Sequence, residues 1–189
     1  MEKKHIITIA GKPGSGKSTT SKGLASSLGY LHFSSGDFFR AIGKERGFDV
    51  LATNLLAEQE KTIDESVDQK LRELGIKEEQ MVIDSRMAWH WMPYSFRVYL
   101  DLDLAIAAER ILSHLDNARR AAEFIPDSPA LYAKTLQDRL DSESKRYMNL
   151  YNVNPYNPNN YDLVIDTAEH NIETVQKIIL ETYTKWADL

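Results

Sequence analysis

The chain has 189 residues, 42% hydrophobic and 27% charged, which suits one soluble globular domain with a single buried core. A net charge of −5 argues against a nucleic-acid-binding face, and the lack of cysteine excludes disulfides and thiolate metal sites. No apolar run approaches a membrane span and no signal-peptide core opens the chain, so a cytoplasmic protein without membrane partners is expected; a monomer without nucleic-acid partners is the expected assembly.

In chain order, His5-Ile6-Ile7-Thr8-Ile9-Ala10 is an apolar, β-branched run of the kind that forms a buried strand. It leads into Gly11-Lys12-Pro13-Gly14-Ser15-Gly16-Lys17-Ser18, which fits the phosphate-loop pattern G-x-x-x-x-G-K-[ST] at every constrained position. The glycines let successive N–H groups turn inward around a phosphate. Lys17 brings a cation to the terminal phosphates, and the Ser18 hydroxyl suits Mg²⁺. Ser18 to Leu28 reads as a helix closed by Gly29, with its positive end aimed at the loop. Strand, loop and helix in this order point to a nucleoside-triphosphate site rather than a glycine-rich turn that only joins two elements.

Leu31 to Ser34 reads as a second strand ending in Ser35-Gly36-Asp37, followed by a helix from Phe38 to Arg46 closed by Gly47. Helical patterns continue from Asp49 to Leu74, with Val67, Leu71 and Leu74 on one stripe and Gly75 as the stop. Acidic runs such as Glu58-Gln59-Glu60 read as solvated helix faces. Met81 to Asp84 is a third strand and Phe96 to Leu102 a fourth; Asp103 caps a helix to about Leu115. Ser128-Pro129 starts a long helix to about Tyr151. Asn152 to Asn160, with two prolines and five asparagines, is a loop. Tyr161 to Asp166 is a fifth strand, and Asn171 caps a final amphipathic helix. The alternation predicts an α/β, three-layer P-loop fold with a five-stranded parallel sheet. The excess length between strands two and three predicts a helical insert over the carboxyl edge, where such sheets bind ligands.

Of ten arginines, seven fall between Arg86 and Arg146. Arg40 and Arg86 follow strands two and three and so face the carboxyl edge; Arg139 and Arg146 share the long helix. Guanidinium forks grip phosphates bidentately, and transfer from a nucleotide to a phosphate acceptor gathers more charge than one lysine and one Mg²⁺ can neutralise. Arg72 and Arg97 read as solvated surface charges. Asp84 ends the third strand where a carboxylate can hold Mg²⁺, or else serves as a cap. Asp101 fits capping or positioning as well as catalysis. Trp89-His90-Trp91-Met92-Pro93-Tyr94 either stacks on a base, with His90 at its edge, or anchors the loop into the core. The five histidines are scattered and give no metal or acid–base cluster.

Gly-Lys-Pro-Gly-Ser-Gly-Lys-Ser-Thr at 11–19, Ser-Ser-Gly-Asp-Phe-Phe-Arg at 34–40, Val-Ile-Asp-Ser-Arg at 82–86, Val-Tyr-Leu-Asp at 98–101 and Asn-Tyr-Asp-Leu-Val-Ile-Asp-Thr at 160–167 together resemble the short cytidylate kinases, within the nucleoside monophosphate kinase family. The resemblance implies a single P-loop kinase domain, with core segments 1–36, 76–114 and 129–189, a monophosphate-binding insert at 37–75 and a lid at 115–128. It implies ATP-dependent, Mg²⁺-assisted phosphorylation of CMP or dCMP. ATP would lie on residues 11–19, Thr19 included, with Arg110, Arg119 and Arg120. Ser35, Asp37, Arg40, Arg86 and His90 would bind the acceptor. Lys17, Arg86, Arg139 and Arg146 would be catalytic, and Ser18 and Asp84 would hold the metal. Larger bacterial members tend to have Gly-Arg-Asp-x-Gly where this chain has Ser85-Arg86-Met87-Ala88-Trp89, so their aspartate is missing. AMP, UMP or shikimate as acceptor, or a nucleotide-gated binding protein, are the competing readings.

Overall fold

The structure is a computed structural model that describes residues 3–48, 62–115 and 125–188. Most of the expected lid at 115–128 falls outside these residues, as do Arg119, Arg120 and Glu58-Gln59-Glu60.

Five strands, β1 (Ile6–Gly11), β2 (Leu31–Ser34), β3 (Met81–Asp84), β4 (Phe96–Asp101) and β5 (Leu163–Asp166), form one parallel sheet in the order β2-β3-β1-β4-β5. The helices described are α1 (Lys17–Leu28), α2 (Ser35–Glu45), α3 (Thr62–Lys77), α4 (Ala88–Trp91), α5 (Leu104–Ser113), α6 (Pro129–Tyr151) and α7 (Ile172–Trp186). Every residue of the central β1 is buried, as an unbroken apolar run requires of a strand covered on both faces. Ile7 and Ile9 pack against Leu24 of α1 and Val175, Ile179 and Tyr183 of α7. Ile6 turns to the other face, against Leu71 of α3 and Met92. At roughly 1.5–3 kcal/mol for each buried aliphatic side chain, this double anchoring fixes where β1 ends and the phosphate loop begins.

Three caps sit where the sequence puts them. Asp103 accepts from the Ala105 and Ile106 amides at 2.8 and 3.3 Å, Ser128 from Leu131 at 3.5 Å and Asn171 from Thr174 at 2.8 Å. Ser35-Gly36-Asp37 does not end the second strand but forms the first turn of α2, because the Ser34 hydroxyl accepts from the Asp37 amide at 3.2 Å. Gly75 does not stop α3, which runs on to Lys77. It is a packing residue instead: a Cβ there would lie 2.5 Å from the Tyr94 hydroxyl and 2.9 Å from Met92 Cγ. The Pro158–Asn160 turn is a short 3-10 helix, and β5 begins at Leu163, two residues later than expected. Tyr161 is buried against Trp89 and Tyr99. Among the described residues no helix is long and apolar enough to cross a membrane.

Parallel register brings the strand ends to one edge. Asp84 lies opposite Ser34 on one side and Ile9 on the other, and Gly11 lies opposite Leu100. Gly11 takes φ 147°, and a Cβ there would meet the Leu100 carbonyl oxygen at 2.2 Å. Because the obstacle is backbone of a neighbouring strand, Gly11→Ala is expected to cost about 3 kcal/mol or more of stability. Urea denaturation checks this; a loss below about 1 kcal/mol would mean that the strand ends shift readily.

Candidate active site

The loop after β1 is a cradle of backbone groups. Gly14 and Gly16 hold φ of 73° and 82°, which a residue with a Cβ adopts only under strain. Gly16 is the N-cap of α1, yet no side chain caps this helix and its first turn carries no acidic residue. Its N-terminal amides and the positive end of its dipole are therefore left for an anion. The Lys12 carbonyl is the internal tie of the loop, accepting from the Ser15 hydroxyl and from Lys17 Nζ, each at 2.8 Å.

Charged neighbours sit around the cradle. Ser18 donates its hydroxyl to Asp84 Oδ2 at 2.5 Å, so two hard oxygens meet at the β3 end. Among the described residues no three His, Cys, Asp or Glu side chains converge on a metal site. A hydroxyl–carboxylate pair suits Mg²⁺, which takes few protein ligands and completes its shell with phosphates and water. Asp101 at the end of β4 pairs with Lys12 at 2.7 Å, which gives it a positioning role. Burial lowers the Lys17 ammonium from 10.5 to about 8, and the nearby Arg86 guanidinium adds to the effect, while Asp84 opposes it.

Facing the cradle is a cleft lined by Ser35, Arg40, Asp64, Arg86, Arg139 and Arg146, among others. Arg86 comes from the turn after β3, Arg40 from α2, and Arg139 and Arg146 from one face of α6. Glu143 stands between them, its Oε2 2.8 Å from Arg86 Nε and its Oε1 accepting from Arg139 Nε at 3.0 Å. Tyr156 donates its hydroxyl to the same carboxylate. Burial pushes Glu143 up, but Arg86 and then Arg139 outweigh it and leave it at about 2. Burial works against the Arg86 charge, and Glu143 more than offsets it, so that guanidinium stays protonated well above its usual range. Arg146 Nε lies 3.4 Å from Asp64 Oδ2.

The structure thus gathers Lys17, Ser18, Asp84, Ser35, Arg40, Arg86, Arg139 and Arg146 at one sheet edge. Asp37 pairs with Arg40 at the rim. His90 is not among the residues lining the cleft; its ring packs against Trp91 and Tyr151, with centroids 4.5 and 6.1 Å away, while those two rings meet each other at 5.2 Å. Trp89 is buried in the core and donates to the Arg86 carbonyl at 2.8 Å, so it anchors the turn that carries Arg86. Trp91 donates to Asp68 at 2.9 Å, and Arg72, read as a free surface charge, lies 3.8 Å from its ring. Arg97, read the same way, is held bidentately by Asp162. Arg110 donates to the carbonyls of Thr167 and Ala168, tying α5 to the turn after β5. Sequence reasoning missed Glu143, Asp64 and Tyr156. The one available signal was the Arg139–Glu143–Arg146 spacing, which puts all three on one helical face.

The AAA domain family matches residues 7–127. A cytidylate kinase of Natronomonas pharaonis is 35% identical over 185 residues, covering 96% of this chain and 91% of the relative. A cytidylate kinase of Haloarcula marismortui is 33% identical over 186 residues, with the same two coverages of 96% and 91%. Shikimate kinase from Bacteroides thetaiotaomicron superposes with a TM-score of 0.63 at 14% identity, covering 94% of this chain and 97% of its own, a likeness of fold alone.

The crowding at Lys17 has a stability consequence. The unfolded chain keeps this proton to about pH 10.5 and the folded chain releases it near 8, so stability rises with pH between those values. Lys17→Met removes the buried charge. It is expected to stabilise the ligand-free protein at pH 7 by about 1 kcal/mol after solvent screening, a rise in Tm of roughly 2–4 °C. The advantage shrinks as the pH approaches 10. Calorimetry across this range checks it, and a variant no more stable than wild type at pH 7 would refute the crowding.

Proposed function

This chain belongs to the cytidylate kinase family, and we propose that it transfers the γ-phosphoryl group of ATP to CMP or dCMP, giving ADP and CDP or dCDP. The observation that carries this reading is the pairing of two anion sites across one sheet edge: uncapped α1 amides with Lys17, and the guanidinium cleft whose Arg86 and Arg139 act electrostatically on that lysine.

Residues 11–19 hold the donor phosphates, and Arg110, Arg119 and Arg120 belong to the donor side. Ser35, Asp37, Arg40 and Arg86 hold the acceptor phosphate. Segment 37–75 is then the acceptor-binding insert and 115–128 the lid, on the core 1–36, 76–114 and 129–189. An acceptor phosphate with a second pKa near 6 is already nucleophilic at neutral pH, so no general base is required. Catalysis is alignment and charge neutralisation: Arg86, Arg139 and Arg146 meet the charge that moves between the oxygens, and Lys17 follows it on the donor side. Ser18 and Asp84 would hold Mg²⁺, which would supply further neutralisation of the phosphates. The enzyme works on small nucleotides as a cytoplasmic monomer in this reading.

The test is an ADP-release assay with ATP, Mg²⁺ and a panel of CMP, dCMP, AMP, UMP and shikimate. Brisk ATPase with no transfer to any monophosphate would sink the reading. Arg86→Ala takes one of its two guanidinium partners from the buried Glu143 and costs roughly 3 kcal/mol, so Arg86→Lys is the cleaner variant. It keeps the charge and loses the fork, and kcat/KM for CMP is expected to fall about 100-fold or more while KM for ATP moves little.

A further inference from the structure

We propose that Asp64 is the residue by which this enzyme tells cytosine from uracil, accepting a hydrogen bond from the exocyclic amino group of the acceptor's ring. The inference rests on the acceptor being a pyrimidine monophosphate, as read above.

A recess continues from the arginine cleft, sharing Ser35, Asp64, Val67, Arg86 and Tyr147 with it. Its other walls include Leu71, Ser85 and Met87. The recess therefore combines the Arg86 guanidinium with apolar side chains and two carboxylates. That combination suits a ligand carrying both a phosphate and a flat, hydrogen-bonding ring.

Asp64, Val67, Asp68 and Leu71 follow one another at the spacing that keeps them on one face of α3. The two carboxylates are not equivalent. Asp68 is fully engaged, Oδ1 accepting from Trp91 Nε1 at 2.9 Å and Oδ2 from the Tyr151 hydroxyl. Asp64 is only 8% exposed, and its Oδ2 forms an ion pair with Arg146 Nε at 3.4 Å but accepts no hydrogen bond among the described residues. A buried carboxylate oxygen without a donor is costly, and a ligand that brings one recovers that cost. Cytosine brings an N–H₂ at ring position 4. Uracil presents a carbonyl oxygen there, so two acceptors would face each other at a buried carboxylate. A site built to pair with a donor rejects the analogue that lacks it far more strongly than a site that merely fits a shape.

The test uses initial rates with ATP and Mg²⁺ on CMP, dCMP, UMP and 2-pyrimidinone riboside 5′-monophosphate, which lacks any substituent at position 4. Wild type is expected to rank CMP above the pyrimidinone nucleotide and that above UMP, with CMP favoured over UMP by about 100-fold in kcat/KM. In Asp64→Asn the amide can donate to the uracil carbonyl, and the CMP:UMP ratio is expected to drop at least about tenfold. Asp68→Asn, whose partners lie in the protein, is expected to keep the ratio near the wild-type value. A folded Asp64→Asn with an unchanged ratio overturns the assignment, as does a pyrimidinone nucleotide used as well as CMP. A change in CMP:dCMP in place of CMP:UMP also overturns it, since the carboxylate would then read the sugar. If Asp64→Asn does not fold, Asp64→Ser takes its place under the same criteria. Wild type that accepts CMP while these variants keep its ratio overturns the role of Asp64 alone; wild type that accepts no cytidine nucleotide overturns the broader reading with it.

Discussion

Cations collected to receive phosphates must coexist when no phosphate is present. Two like unit charges about 4 Å apart repel by roughly 4 kcal/mol at an effective dielectric of 20, and this cleft holds Arg86, Arg139, Arg146 and the nearby Lys17. Glu143 is what makes the arrangement tolerable. Its two oxygens take Arg86 and Arg139 separately, and Tyr156 satisfies a further lone pair. The dependence is mutual, since a buried carboxylate with a partner removed is strongly destabilising. The guanidinium groups are consequently held near their working positions before any ligand arrives, which is the form of preorganisation that lowers a barrier. Among the described residues Lys17 has no such direct carboxylate partner and folds onto the Lys12 carbonyl instead, and burial, with the Arg86 charge adding to it, lowers the pKa of its ammonium.

The sheet converts sequence position into proximity. Residues tens of positions apart become neighbours because parallel register sets Ser34, Asp84 and the end of β1 side by side. From that edge Ser18 reaches Asp84, Lys12 reaches Asp101, and Arg86 leaves β3 two residues on, its turn pinned by Trp89. None of these contacts needs a specific loop conformation beyond the short turns that follow the strands. This is why a P-loop fold tolerates 14% identity to shikimate kinase while superposing over most of its length.

What was legible in the sequence is what is local. The Gly11–Ser18 pattern, the caps at Asp103, Ser128 and Asn171, and the five strands alternating with helices each depend on a few adjacent residues, and all are present in the structure. Gly75 misled because glycine near a helix end has two physical causes, a left-handed terminus or a tight contact, and only the positions of Tyr94 and Met92 decide between them. Glu143 was invisible for a related reason. An acidic residue on a long amphipathic helix is usually solvated, and its burial here depends on Arg86 from another element and on Tyr156 beyond the helix end. The aromatic run after Arg86 divides in a way that composition alone could not show: Trp89 anchors the core, Trp91 serves Asp68 and Arg72, and His90 packs against Trp89, Trp91 and Tyr151.

The distance between the two anion sites is set by small residues. A Cβ at Gly14 would lie 3.2 Å from Ala107 of α5, so the phosphate loop rests almost directly on that helix. Ala107 and Ala108 of α5 also cluster with Tyr132 and Leu136 of α6, the helix that carries Arg139, Glu143 and Arg146. Loop, α5 and α6 therefore form one stack in which glycine and alanine permit close approach and aromatic and leucine side chains fill what remains. Packed interiors transmit displacement because they have little free volume to absorb it. A bulkier residue at either small position would push the arginine helix away from the cradle without touching a charged group. Alignment in phosphoryl transfer is sensitive to shifts of about 1 Å. The alanines of α5 thus set the geometry on which the charges act.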